Sequence, residues 1–241
     1  MYISRYLSAL ILAVISTSAF TGDNGLSAFN ASYKLFTRGI EAGITNLSFI
    51  KSANQDEYIY QYEVKTTGIA ALFKKVHIIE KSTWKLDGLQ LLPLAYSFQQ
   101  RGSKIEDNAM KFDWKNMQVI KINNGKSRHE TLPDNMQLLD KLLYQYALMY
   151  DMKNGIIPEK YNVLDYRKIR TYYFRTLGNE NIETPIGTFD TVKLIKTRDS
   201  NNKQTIMWCV KALDYLPVKL EEYDNDNRVS TAIIESVSGF E

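Results

Sequence analysis

Residues 57–66 read EYIYQYEVKT, with Tyr58, Tyr60, Tyr62 and Val64 on every second position and Gln61, Glu63 and Lys65 between them. In an extended chain successive side chains point to opposite faces, so this stretch has one oily face and one wet face. A helix would scatter the same rings around its circumference. The pattern is that of a strand in an antiparallel sheet buried on one side only.

The same rhythm spreads outward along the chain. Phe29, Ala31, Tyr33 and Leu35 alternate with Asn30, Ser32 and Lys34, and Leu94, Tyr96 and Phe98 with Ser97 and Gln99. It returns in Phe112 and Trp114, in Tyr172 and Phe174, in Ile206, Trp208 and Val210, and in Val229, Thr231 and Ile233. Turn residues punctuate the runs at Asp87-Gly88, Asn124-Gly125 and Asn225 to Asn227, the composition of hairpin turns. In ETPIGTFDTVKLIK, residues 183–196, Pro185 fixes φ, Gly187 allows positive φ, and Val192 and Leu194 then share one side of a new strand. This is turn chemistry leading into a strand, with a binding loop as the alternative.

A sheet of this kind must hide its apolar face. Residues 134–155, DNMQLLDKLLYQYALMYDMKNG, place Met136, Leu139, Leu143, Tyr146 and Tyr150 at spacings of three and four, the stripe of an amphipathic helix. Asp134 would cap its first turn with Gln137 three residues on, and Gly155 would end it. GIAALFKK, residues 68–75, is either a second, two-turn helix or a helical loop. The expected fold is mainly β: a curved antiparallel sheet, or open or half barrel, with one amphipathic helix packed against its concave face. A single domain over residues 28–241 suits the length of 241 residues.

Residues 1–19, MYISRYLSALILAVISTSA, carry one positive charge at Arg5, an apolar run from Tyr6 to Ile15, and then small residues with Thr17 and Ala19 at the −3 and −1 positions of a cleavage site. That is the form of a secretory signal peptide. Its apolar run is about half of the roughly 20 residues a spanning helix needs, so no membrane span is expected after cleavage. Residues 20–27 read as a flexible lead. The 30 basic and 27 acidic residues leave a net charge of only +3, too little for the footprint of a nucleic-acid partner.

Chemistry-bearing patterns are scarce. Cys209, the one cysteine, lies between Trp208 and Val210 and reads as a small buried hydrophobe, since nothing nearby would depress its pKa. His77 and Glu80 stand three apart and would face opposite ways on a strand, a poor ligand pair. His129 lies in a polar connection. Glycine-rich phosphate loops, a G-x-S-x-G elbow and H-E-x-x-H are all missing from the sequence. The acidic group Glu221, Glu222, Asp224 and Asp226 reads as a solvated turn before it reads as a glycosidase pair. Neither enzymatic activity, a metal nor any other cofactor is expected.

Several separated stretches carry a resemblance. GIAALFKK, STWKLDGLQLLPLAYSF, LLDKLLYQYALM, TPIGTFDTVKL and DYLPVKLEEYD, in that order over roughly residues 28–237, resemble the bacterial family called domain of unknown function 3108. The resemblance implies an exported, mainly β protein of the Gram-negative periplasm with no established activity and no catalytic residues to carry over. At the level of fold alone the pattern is also similar to periplasmic lipoprotein carriers and receptors that hold acyl chains, and fold does not dictate function.

The aromatic stripe is the distinctive feature. Trp84, Phe98, Trp114, Phe174 and Trp208 would point inward, together with Leu143 and Tyr146 from the helix. Core packing is the first reading; the second is that one helix leaves a curved sheet partly uncovered and these seven residues line an apolar cavity. The expectation is therefore a non-enzymatic binding module for a lipid or other apolar ligand. The alternative is an envelope protein with a filled core that binds another protein through a sheet edge or loop.

Overall fold

The computed structural model describes residues 25–54, 56–88, 90–198 and 202–240; the expected signal peptide, 1–19, lies outside the described residues, as does residue 20–24 of the lead. The strands of the first half are β1 (Phe29–Thr37), β2 (Ile40–Lys51), β3 (Glu57–Thr66), β4 (Val76–Asp87), β5 (Gln90–Gly102), β6 (Glu106–Asp113), β7 (Gln118–Asn123) and β8 (Lys126–Thr131). After a short β9 (Leu138–Asp140), the second half runs β10 (Lys160–Asp165), β11 (Lys168–Thr184), β12 (Gly187–Arg198), β13 (Lys203–Val210), β14 (Leu216–Asp224) and β15 (Asn227–Ser238). Two helices accompany them, α1 (Gly68–Phe73) and α2 (Leu143–Lys153).

All strands join one open sheet in the order β8-β7-β6-β5-β4-β3-β2-β1-β15-β14-β13-β12-β11-β10-β9. The first and last strands pair at its centre, with Tyr33 opposite Ile234 and Leu35 opposite Ala232. Neighbours are antiparallel except β9 and β10, which run parallel. A parallel pair needs a crossover of a dozen or more residues, and α2 occupies that crossover. The sheet curls until β9 lies alongside β5 without backbone pairing, so the half barrel encloses α2 but does not close.

The turns form as their residues dictate. Asn124 (φ 45°) and Gly125 (φ 82°) both take the positive φ of a type I′ turn between β7 and β8. Pro185 and Ile186 join β11 to β12, with Gly187 at φ 133° and the Thr184 hydroxyl donating to the Gly187 carbonyl at 2.9 Å. The stretch 183–196 is thus a hairpin turn.

The helix expected over 134–155 is shorter. Leu138, Leu139 and Asp140 pair with Asn162, Val163 and Leu164 of β10 as a buried strand, and α2 begins only at Leu143. Asp134 is exposed and caps nothing; Asp140 takes that role, its Oδ1 accepting from the N–H groups of Leu142 and Leu143 at 2.9 and 2.8 Å. Gly155, at φ 78°, does end the helix. The sheet wraps so far around α2 that seven of its eleven residues are buried and its polar face is narrow. Upstream, Leu26 is buried and its N–H lies 3.4 Å from the Tyr146 hydroxyl, so the last residues of the expected lead pack onto the core.

Alternation holds in β1 and β3 and shifts elsewhere. On β15 the inward apolar residues are Ala232 and the fully buried Ile234, not Val229 and Ile233, because pairing with Leu35 and Tyr33 sets the phase; Thr231 borders the cavity. In β5 a bulge at Thr83/Trp84 puts Pro93 opposite Trp84 and Ala95 opposite Thr83, leaving Leu94 out of step with Tyr96. On β13 it is Met207 that faces inward. Trp208 lies on the outer side between its cross-strand neighbours Lys193 and Lys219, whose ammonium groups sit 4.8 and 4.4 Å from its ring, and their stems cover it.

Candidate functional site

Between α2 and the inner face of the sheet lies a cavity of about 430 Å³. Its floor comes from the strands that the alternation identifies best: Tyr33 and Leu35 of β1, Leu47 of β2, and Tyr60, Tyr62 and Val64 of β3. The far wall is Met207, Leu220 and Ala232 of β13, β14 and β15, and the roof is Tyr144, Gln145 and Leu148 of α2. Exposed lining residues, Thr37, Lys65, Lys74 and Glu222, mark the mouth. Burial pushes the Tyr62 phenol up to about 12 and raises Tyr144 and Tyr60 as well, so these rings present neutral hydroxyls.

One charge stands inside. Lys196 of β12 donates from Nζ to the Tyr144 hydroxyl at 2.8 Å and sits over the rings of Tyr144 and Tyr172, 4.9 and 5.0 Å from their centres. Burial pulls its ammonium below the ordinary lysine value; Tyr172 and Glu222 counter that pull, while Arg198 and Lys141 add to it. Lys196 was legible in principle, since it shares the parity of Val192 and Leu194 and is a cation on an apolar face.

The seven residues expected to line a cavity lie elsewhere. Trp84, Tyr146 and Leu143 are at most 1% exposed and belong to solid core: the Trp84 and Tyr146 rings are 4.5 Å apart, with Phe49 4.6 Å from Tyr146 and Tyr58 4.6 Å from Trp84. α2 turns Tyr146 toward this ring cluster, and Tyr144 and Leu148, on another face of the helix, toward the void. Phe174 is buried behind Tyr144, 6.4 Å away, and pairs with Lys196 across β11 and β12. Trp114 stacks on Phe112 and donates to the Pro93 carbonyl at 2.7 Å, Phe98 is half-buried under Lys141, and Trp208 faces outward. None of the seven lines the cavity.

The other candidate groups have structural partners. Cys209 is fully buried with its thiol pushed up to about 12. His77 meets Glu63 at 2.7 Å, while Glu80, on the opposite face, accepts from Tyr96 at 2.7 Å and from Lys141 at 3.0 Å. His129 is exposed on the edge strand β8, and Glu221 pairs with Lys219 and Arg228, both at 3.0 Å. Beside the mouth, α1 buries none of its residues, and Ile69, Leu72 and Phe73 are 69%, 83% and 87% exposed, followed by the exposed Lys74 and Lys75. No helix of the described residues is long and apolar enough to cross a membrane.

A family model described as "Protein of unknown function (DUF3108)" matches residues 28–232. No curated protein matches significantly. The crystal structure of a beta-barrel-like protein of domain of unknown function DUF1849 from Brucella abortus shares the fold, with a TM-score of 0.58 at 8% identity over 89% of this chain and 98% of that one. Looser likenesses are to MucB, at 0.33 and 8% identity over 90% of this chain and 54% of that one, and to a protein described as exported, with a YmcC-like fold, from Bacteroides fragilis, at 0.34 and 10% identity over 89% and 97%. The last two are too distant to transfer any property.

Proposed function

The chain belongs to the DUF3108 family, and we propose that this member is a non-enzymatic binding protein of the periplasm whose cavity takes the hydrocarbon part of a lipid-like molecule. The observation that carries this reading is the void of about 430 Å³ beneath α2, walled by aromatic and aliphatic side chains and open at one end. Its size falls within the roughly 300–1,000 Å³ usual for small-molecule sites. Apolar walls favour a ligand that escapes water on entry. A signal-like N-terminus over residues 1–19 supports export. The buried, protonated Cys209 makes a poor nucleophile, which favours binding over catalysis.

Native mass spectrometry on protein purified from the periplasm tests the reading. A bound mass in the lipid range, removable by organic extraction, is the expected outcome. A clean apo mass together with no uptake of a neutral apolar dye would overturn it.

A second reading, docking of an envelope protein, is favoured by α1, which presents Ile69, Leu72 and Phe73 to solvent. The edge strand β8 is a weaker candidate, because Lys126, Arg128 and Glu130 place charge along it. A photo-crosslinker at residue 72 would trap one dominant protein if this is right, and only lipid or nothing if it is not.

A further inference from the structure

We propose that Lys196 is the anchor for an acidic headgroup, so that the cavity takes single-chain amphiphiles with a negatively charged end, a carboxylate or a phosphate monoester. The inference rests on the cavity being an apolar ligand site and adds its specificity.

An ammonium group has three N–H donors. At Lys196 one goes to the Tyr144 hydroxyl, and among the described residues no ion pair occupies the others. Glu222, the one carboxylate in the lining, is exposed at the mouth and accepts from Ser230 at 3.0 Å. Retaining an ammonium in an apolar enclosure costs free energy unless an opposite charge or hydrogen bonds offset it. Tyr144 and Tyr172 offset part through their ring faces. An anion entering with its chain along Tyr60, Leu47 and Met207 would supply the rest. Having given its lone pair to Lys196, the Tyr144 hydroxyl still has its own proton to donate to the same headgroup. Methionine would satisfy the walls equally well, and the cation is what methionine could not provide. A volume near the lower end of the usual range favours one chain over two.

Calorimetric titration of the purified, lipid-stripped chain with tetradecanoate, tetradecyl phosphate and 1-tetradecanol tests this. The wild type should hold at least one of the two anions about tenfold or more tighter than the alcohol, the scale of a charge-assisted hydrogen bond. Lys196→Met should erase that preference by weakening the anions far more than the alcohol, whereas Lys196→Arg should keep most of it. Preference for tetradecanoate would point to a free fatty acid, and preference for tetradecyl phosphate to a phosphate-headed lipid. Equal binding of anions and alcohol, or anion binding by a folded Lys196→Met chain that matches wild type, would overturn the anchor and leave the apolar site standing. Failure of all three probes to bind would remove the site itself.

Discussion

The Ser82 hydroxyl donates a 2.5 Å hydrogen bond to Oδ2 of Asp140, linking β4 to β9, the strand at the far end of the same sheet. The open seam of the half barrel is therefore tied by side chains where the backbone does not pair. The other oxygen of Asp140 holds the first N–H groups of α2. One buried carboxylate thus fixes both the seam and the start of the helix that roofs the cavity.

This arrangement predicts an unusual pH dependence. Burial pushes the Asp140 carboxyl up to about 6 against hydrogen bonds from Ser82, Leu143 and Leu142, and the nearby Glu80 adds to the rise. A raised carboxyl favours the fold in its neutral form, so its contribution is full below the unfolded value near 4 and is lost as pH climbs through about 6, roughly 3 kcal/mol in all. Asp140→Asn keeps the cap acceptor and removes the charge. The difference in urea stability between variant and wild type should widen in the variant's favour from pH 4 to pH 7, and a constant difference would refute the assignment. Asp140→Ala, which loses the cap as well, should destabilise by about 1–3 kcal/mol at pH 4.

Burial separates two aromatic sites of similar appearance in the sequence. Trp84→Ala should cost about 3–5 kcal/mol, because the ring is fully buried among Phe49, Tyr58 and Tyr146. Phe73→Ser, on the exposed α1, should stay within about 0.5 kcal/mol of wild type. Urea midpoints measured side by side decide it.

The thiol of Cys209 should be silent in the native state. It is fully buried and held protonated up to about 12, so a disulfide reagent at pH 8 should label it only at the rate of unfolding. Immediate labelling without denaturant would contradict the burial.

The void can be tested by filling it. Ala232 borders the cavity, whereas Ala147 of α2 is buried away from it. Ala232→Phe should leave stability within about 1 kcal/mol and abolish uptake of a neutral dye such as 1-N-phenylnaphthylamine, while Ala147→Phe should cost about 1–3 kcal/mol by overpacking. Equal penalties at the two positions would mean that no usable space exists below the helix.

Much of this architecture could be read from local pattern. The parity of Tyr60 to Val64 and of Phe29 to Leu35 survived because Gln61 and Glu63, and Asn30, Ser32 and Lys34, fill the alternate positions, so only one face could be buried. The paired asparagine, aspartate and glycine residues at the turns specify backbone conformations that neighbouring residues cannot override. Lys196 stood in view as a charge in step with Leu194.

Parity fails where both faces are apolar. Ile206 to Val210 are five apolar residues in a row, and only pairing with Lys193 and Lys219 sends Trp208 outward. Likewise LLDKLL fits a helix or a strand, and the parallel partner β10 chose strand for its first three residues. The cavity is one step further from the chain. It is a gap between Tyr144 on α2 and residues about eighty or more positions away on β1 and β3, and its volume depends on how high the crossover holds the helix above the sheet. Periodicity is a property of neighbours along the chain, whereas empty space belongs to elements that meet only on folding, so tertiary structure alone could place it.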